Sequence, residues 1–256
     1  MRHWLTVLFA AAVLPLSGFT LLDGTVDGSM PLRRQAVALA LKNGRKISVR
    51  KVSAAEAVAA LKQKKATAVV LESQDIPKDF PFEKHPFAVL AAAVYVNANN
   101  TCTNLSRQEL VELLTSPRPS WKSITGNRVD IHIYGLSPKA QGYGVFSRLL
   151  KKEMQIKSPV YRTGSTNNVI QLCGGNPVAL GIALFSPEGN EMSRPIAIDG
   201  IAPTFENLGQ GRYPLMTTHV LVYPKENLPE IKELLDSFKT PVFLDLLNQS
   251  NMLPQQ

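Results

Sequence analysis

Two rhythms of apolar and polar positions take turns along this chain. Residues 31–42 repeat their apolar positions at helical spacing and stop at Asn43-Gly44. Residues 46–52 then alternate with a period of two, which predicts a strand. Ser53 with Glu56 three residues later has the form of a capping box and predicts a helix over 54–64. Apolar runs at 66–71 and 87–96 predict strands, the longer one rich in Ala and Val and buried on both faces. Leu105-Ser106 opens a helix over 107–114, and Pro117-Arg118-Pro119 ends it. Further strands are predicted at 129–134, 179–184, 195–198 and 220–223, and further helices at 142–152 and 167–172. Residues 228–247 supply two helices broken at Pro241. Alternation of this kind predicts an α/β fold with mixed sheets covered by helices. In such folds strand-to-helix loops form the binding edge, because helix N-termini present unpaired N–H groups there.

Composition narrows the function without naming it. The 256 residues suffice for one large domain or two lobes, and 45% apolar content supports a full core. The formal net charge of +8 favours anionic partners. The basic residues are scattered and not interleaved with aromatics, so the footprint of a nucleic-acid binder is missing. The N-terminus reads as a secretory signal peptide over residues 1–20: Arg2 and His3, an apolar run from Trp4 to Leu16, then Ser17 and Gly18. An uncleaved anchor is the other reading of that run. Phe19 stands where a lipoprotein signal would carry its Cys, so no lipid anchor is predicted. The protein is therefore expected to be exported, with a periplasmic location the natural one. Two cysteines, Cys102 and Cys173, are either one disulfide or two partly buried thiols. The four histidines are isolated and fit no metal spacing. A GxSxG elbow and a P-loop are both lacking, and neither an enzymatic role nor a cofactor is expected.

From Val94 onward the chain resembles the phosphate-type substrate-binding proteins of ABC importers. The resemblance rests on five stretches in order: Tyr95-Val96-Asn97-Ala98-Asn99-Asn100; Leu105-Ser106-Arg107-Gln108-Glu109-Leu110 with Trp121; Asn176-Pro177-Val178-Ala179-Leu180-Gly181-Ile182; Ile196 through Thr204 with Glu206-Asn207; and Gly211-Arg212-Tyr213-Pro214-Leu215. Nearer the N-terminus, Gly28-Ser29-Met30-Pro31-Leu32 resembles the family's first ligand loop. The resemblance implies a two-lobed periplasmic binding protein fold of type II. Lobe 1 would take residues 21–95 and 197–256, and lobe 2 residues 96–196. The crossovers would lie near Val94–Asn97 and Arg194–Asp199.

It further implies a receptor that binds phosphate or another small oxyanion between the lobes. Such a receptor is a monomer and serves an ABC permease or a sensor protein. Hydroxyl and backbone N–H donors must then converge on the anion. The first lobe offers Ser29, Ser53 and Ser73, and the second offers Ser137, Lys139, Gln141, Gly142 and Tyr143. In the second-lobe loop the family carries an arginine and an acidic residue that are absent here, and Lys139 supplies only a point charge. That departure keeps a second possibility open, a degenerate domain acting as an interaction or assembly module. A Cys102–Cys173 bridge would staple the second lobe internally.

Overall fold

The computed structural model describes residues 19–149, 156–186 and 190–255. The expected leader up to residue 18, and the end of the helix expected to reach residue 152, lie outside the described residues. The chain opens with β1 (Phe19–Asp23), α1 (Met30–Lys42), β2 (Ile47–Lys51), α2 (Ala54–Lys62) and β3 (Ala68–Glu72). A long strand, β4 (Glu83–Asn97), follows. Next come β5 (Asn104–Leu105), α3 (Arg107–Thr115), α4 (Lys122–Thr125), β6 (His132–Leu136), α5 (Tyr143–Leu149) and β7 (Val160–Thr163). Then follow α6 (Thr166–Gly174), β8 (Ala179–Leu184), β9 (Ser193–Pro195), β10 (Ala197–Ile198) and α7 (Phe205–Gly209). The last elements are β11 (Met216–Tyr223), α8 (Leu228–Ser237), α9 (Pro241–Asn248) and β12 (Met252–Pro254).

These strands line up in the order β2-β1-β3-β11-β4-β8-β6-β7, with β9 and β12 also paired to β4. β1 is parallel to β2 and β3, whereas β11 runs antiparallel to β3 and β4. On the far side β8 is antiparallel to β4, and β6 is parallel to both β8 and β7. β4 thus belongs to two sheets. Glu83 to Ala91 pairs with β11, and Ala92 to Asn97 pairs with β8 and β9. Both faces of the first sheet are covered. Leu21, Val70 and Leu221 face α1, α8 and α9, while Leu22, Val69, Leu71, Val220 and Val222 face α2. Successive strand residues point to opposite faces, so burial of both faces turns strands into continuous apolar runs. Beside Pro86 the β4–β11 register slips between His219 and Val220, where a residue without an N–H cannot continue the ladder.

The second half has its own core, in which Trp121, Ile133, Val169, Leu180 and Ile198 are buried. Trp121 donates from Nε1 to the Val178 carbonyl at 3.1 Å, which ties α4 to the start of β8. α3 starts with a complete capping box, Ser106 and Glu109 each satisfying the other's backbone N–H. α2 has half of one: Ser53 Oγ accepts from Glu56 N, without the reciprocal bond.

Two expectations change, and the alternative left open for the cysteines is decided. Phe19 and Thr20, assigned above to the leader, are strand residues paired with Ile47 and Ser48. The return crossover does not lie at Arg194–Asp199, since Ser193–Pro195 pairs with β4 and Ala197–Ile198 with β5. Asp199 and Gly200, at φ +50° and +78°, fold the chain back so that Ile201 bridges to Ile198. Return occurs instead at Leu215–Met216, where Ala92 N donates to Leu215 O at 2.8 Å and Met216 pairs with Ala91. Finally, Cys102 and Cys173 are both buried and free. Cys102 Sγ lies 3.4 Å from the Asn104 carbonyl and Cys173 Sγ 3.9 Å from the Tyr95 carbonyl, so each thiol is committed to a different stretch of backbone. Burial pushes the Cys173 thiol up to about 12, well outside the reactive range.

His219 stands on β11 opposite Glu72 of β3, fully buried, with neither ring nitrogen hydrogen-bonded to the protein. Burial pushes its pKa down from 6.5 to about 4. The unfolded chain therefore binds a proton between these values that the folded chain refuses, and stability falls as pH drops through that window. The loss should reach roughly 3 kcal/mol. Urea unfolding of His219→Leu against wild type from pH 7 to 4 checks this. The variant should lose less stability over that range, and parallel curves would refute the assignment.

Candidate functional site

The two halves meet in a polar seam built from the C-terminal ends of β1 and β3 and the start of α5. β1 ends in Asp23, fully buried. Its carboxylate accepts from Thr25 N at 3.1 Å, from Thr25 Oγ1 at 2.7 Å and from Ser29 N at 2.5 Å. These bonds fold the β1–α1 loop onto its own strand, with Gly28 at φ +84°. The loop then presents Val26 and Asp27 to the other half. Asp27 Oδ1 accepts from Gly144 N at 3.1 Å and Oδ2 from Val145 N at 3.0 Å. Both donors belong to the first turn of α5, whose N–H groups have no partner within the helix.

Glycine permits this approach. A Cβ on Gly144 would collide with Val26 and stand 2.9 Å from Asp27 Oδ1. Gly142, just before α5, holds φ +89° against Leu184.

β3 ends in a second buried acid. Glu72 Oε1 accepts from Val26 N at 2.8 Å, and Oε2 accepts from Gln74 Nε2 at 2.8 Å and from Arg148 of α5 at 3.2 Å. Arg148 also pairs with Asp75. Thr217 of β11 donates to Gln74 Oε1 at 2.8 Å, and Lys51 Nζ donates to the Val26 carbonyl at 2.6 Å. Burial raises the carboxyl pKa of Asp27, opposed by the Val145 and Gly144 N–H groups and by Lys51. Burial raises that of Glu72 as well, opposed by the Val26 N–H and Arg148 and reinforced by Asp75 and Asp27. The seam therefore gathers carboxylates faster than cations. Its chemistry is charge recognition: hydrogen-bond donors and acceptors from both halves converge, and among the described residues no trio of His, Cys, Asp or Glu is placed to hold a metal ion.

The residues singled out in the sequence are distributed unevenly about this seam. Ser29 is fully buried within it, its Oγ without a protein partner. Ser73 lies at its edge, with Oγ 3.3 Å from Gln74 Oε1. Gln141 crosses between the halves, donating from Nε2 to the Ser250 carbonyl at 3.0 Å. Gly142 and Tyr143 lead into α5, and the Tyr143 ring lies 5.5 Å from the Arg162 guanidinium. Ser53 is exposed and engaged with its own helix. Ser137 is bound through its backbone, N to Thr163 O at 2.7 Å and O to Ala140 N at 2.9 Å, and Lys139 is exposed. α5 is met by Val26, Asp27, Glu72 and Asp75, not by the start of α2.

Asp27, Glu72 and Arg148 escaped the sequence reading. For Glu72 a signal existed, an acid closing the apolar run Ala68-Val69-Val70-Leu71. Asp23, closing Leu21-Leu22, carries the same signal.

Residues 21–240 match the family model described as a PBP superfamily domain. A phosphate-binding protein PstS of Bacillus subtilis is 25% identical over 158 residues, covering 61% of this chain and 52% of that protein. The match thus spans about half the length of that relative. Among solved structures, a possible phosphate binding protein from Planctomyces limnophilus superposes with a TM-score of 0.80 at 15% identity, covering 93% of this chain and 94% of that one. An ABC-type phosphate transport receptor from Vibrio cholerae gives 0.68 at 17% identity, covering 91% and 99%. The fold shared with these structures is that of type II periplasmic binding proteins.

Arg148 is the cation that Glu72 and Asp75 share, and its side chain is about one-quarter exposed, 24%. Arg148→Met should lower stability by roughly 2 kcal/mol, below the figure for a fully buried pair because solvent screens the guanidinium. Adding Glu72→Gln should recover part of the loss, since the most buried acid facing the missing cation is then neutral while Asp75 keeps its charge. Equal denaturation midpoints for the single and double variants would contradict this coupling.

Proposed function

The chain belongs to the PBP superfamily, and from that premise we propose that it is an exported, non-enzymatic solute receptor taking phosphate or another small oxyanion between its two lobes. One lobe comprises residues 19–91 and 216–255, the other residues 92–215. The observation that carries the reading is the pair of backbone N–H groups, Gly144 and Val145, each donating to one oxygen of a single carboxylate. A tetrahedral oxyanion offers acceptor atoms of the same kind and spacing. Ser29 Oγ, buried and without a protein partner, is a further donor on the same β1–α1 loop as Asp27, and Lys51 Nζ donates to that loop at Val26. Ser73, Gln141, Gly142 and Tyr143 complete the surround.

The partner is an ABC permease or a sensor protein, engaged by a monomeric receptor. The permease is supported by the phosphate transport receptor and the phosphate-binding protein that the chain resembles. Export rests on the charged start and apolar run at the N-terminus. A cut before Phe19 leaves β1 whole, and loss of Phe19 to Leu22 would strip most of the strand on which β2 and β3 pair. Among the described residues no helix is long and apolar enough to cross a membrane.

Isothermal titration of phosphate and sulfate into protein beginning at Phe19 tests the reading, with thermal shift as a second readout. A receptor gains about 2.7 kcal/mol at a ligand concentration of 100 Kd. Ser29→Ala should weaken binding at least about ten-fold, the usual cost of one hydrogen bond to a charged acceptor. Failure of every oxyanion to bind more tightly than roughly 1 mM, about −4 kcal/mol, overturns the receptor assignment in favour of an interaction module.

A further inference from the structure

We propose that Asp27 is a tethered anion that latches the two lobes together, and that an incoming oxyanion must displace it from the Gly144 and Val145 N–H groups. The competition rests on the receptor reading above, whereas the latch does not. Asp27 lies on the β1–α1 loop of one lobe, and its carboxylate reaches across to the other, accepting at 3.1 Å and 3.0 Å. The surrounding structure holds it there. Val26, its neighbour, is braced from both sides, with its N–H on Glu72 and its carbonyl on Lys51. Gly144 supplies the gap through which Val26 and Asp27 approach. This is a pre-positioned contact, since three residues on three elements fix the loop that carries one carboxylate.

The same geometry makes the contact replaceable. Among the described residues Asp27 takes its hydrogen bonds from Gly144 and Val145 and from no side-chain cation: Arg148 is committed to Glu72 and Asp75, and Lys51 acts on Asp27 through its charge alone. An oxyanion brought to those donors would stand within a few ångströms of Asp27, with Glu72 close behind. Like charges so close in a desolvated seam repel strongly, so the two anions cannot share the donors. Occupancy is therefore a competition between the tethered carboxylate and the free ligand. The measured affinity of the wild type is the intrinsic affinity reduced by the fraction of molecules in which Asp27 has let go.

The test compares wild type, Asp27→Ala and Asp27→Asn, with two readouts. The first is amide hydrogen exchange at Gly144 and Val145. Removal of the latch should speed it at least about ten-fold in Asp27→Ala, as loss of a hydrogen bond to a charged acceptor implies. Asp27→Asn, which keeps the shape and one acceptor, should fall between, and it carries the test if the alanine variant does not fold. The second readout is titration with inorganic phosphate, where the dissociation constant should tighten at least about ten-fold on removing the tethered charge. Unchanged exchange at both amides overturns the latch. Weaker phosphate binding in Asp27→Ala overturns the competition and makes Asp27 a ligand contact. Faster exchange with no phosphate binding in any of the three proteins upholds the latch and refutes the receptor reading.

Discussion

Everything at the seam depends on β4 running unbroken through both sheets. A strand hydrogen-bonded to β11 and β12 over one stretch and to β8 and β9 over the next cannot slip in one lobe without slipping in the other. The lobes are joined at two adjacent points, Ala91–Ala92 on the way out and Leu215–Met216 on the way back, and the backbone bond between Ala92 and Leu215 binds those points together. Motion between the lobes is thereby restricted to bending about this short axis. Each lobe has a closely packed core of its own, so bending falls mainly on the axis and on the surfaces facing each other across it.

Those facing surfaces are mixed. Val145 and Leu184 of one lobe are buried in the apolar cluster of the other, and beside them Asp27 sits on two N–H groups, Arg148 on two acids and Gln141 on a carbonyl. Every one of the polar groups regains water on opening, so the net contribution of each is small against the gross strength of the bond. Burial has already raised the pKa of Asp27 and Glu72, which means that the closed state holds their charges under strain from desolvation.

The sequence made the architecture legible because a sheet covered on both faces writes itself as apolar runs, as at β3, β4 and β8. Its failures have physical causes. β1 is hard to delimit because its apolar residues follow closely on the apolar run from Trp4 to Leu16, and periodicity cannot mark a boundary between two apolar segments. The return crossover was misplaced because Ala197–Ile198 carries a strand pattern whose partner, β5, is only two residues long. Ser53 caps its own helix, and a helix cap and an anion contact draw on the same hydroxyl. The donors that do converge are backbone N–H groups, which leave no mark on a sequence beyond the glycine that exposes them. Arg148 was passed over because it lies within α5 and not in the loop before it. The acidic residues come from the opposite lobe, where only the fold brings them near.

Overall charge and local charge then pull in opposite directions. The chain carries a net +8, with exposed basic residues such as Arg50, Lys78 and Lys139 spread over its surface, and such a field draws anions toward it over distances of a Debye length. At the seam itself Asp23, Asp27, Glu72 and Asp75 outnumber Lys51 and Arg148. On the proposed reading, encounter would be favoured by the first arrangement and final binding taxed by the second. On the receptor reading proposed above, anions would be discriminated less by their charge, which the whole surface attracts alike, than by how well each reproduces the two-oxygen fit that Asp27 already makes with Gly144 and Val145.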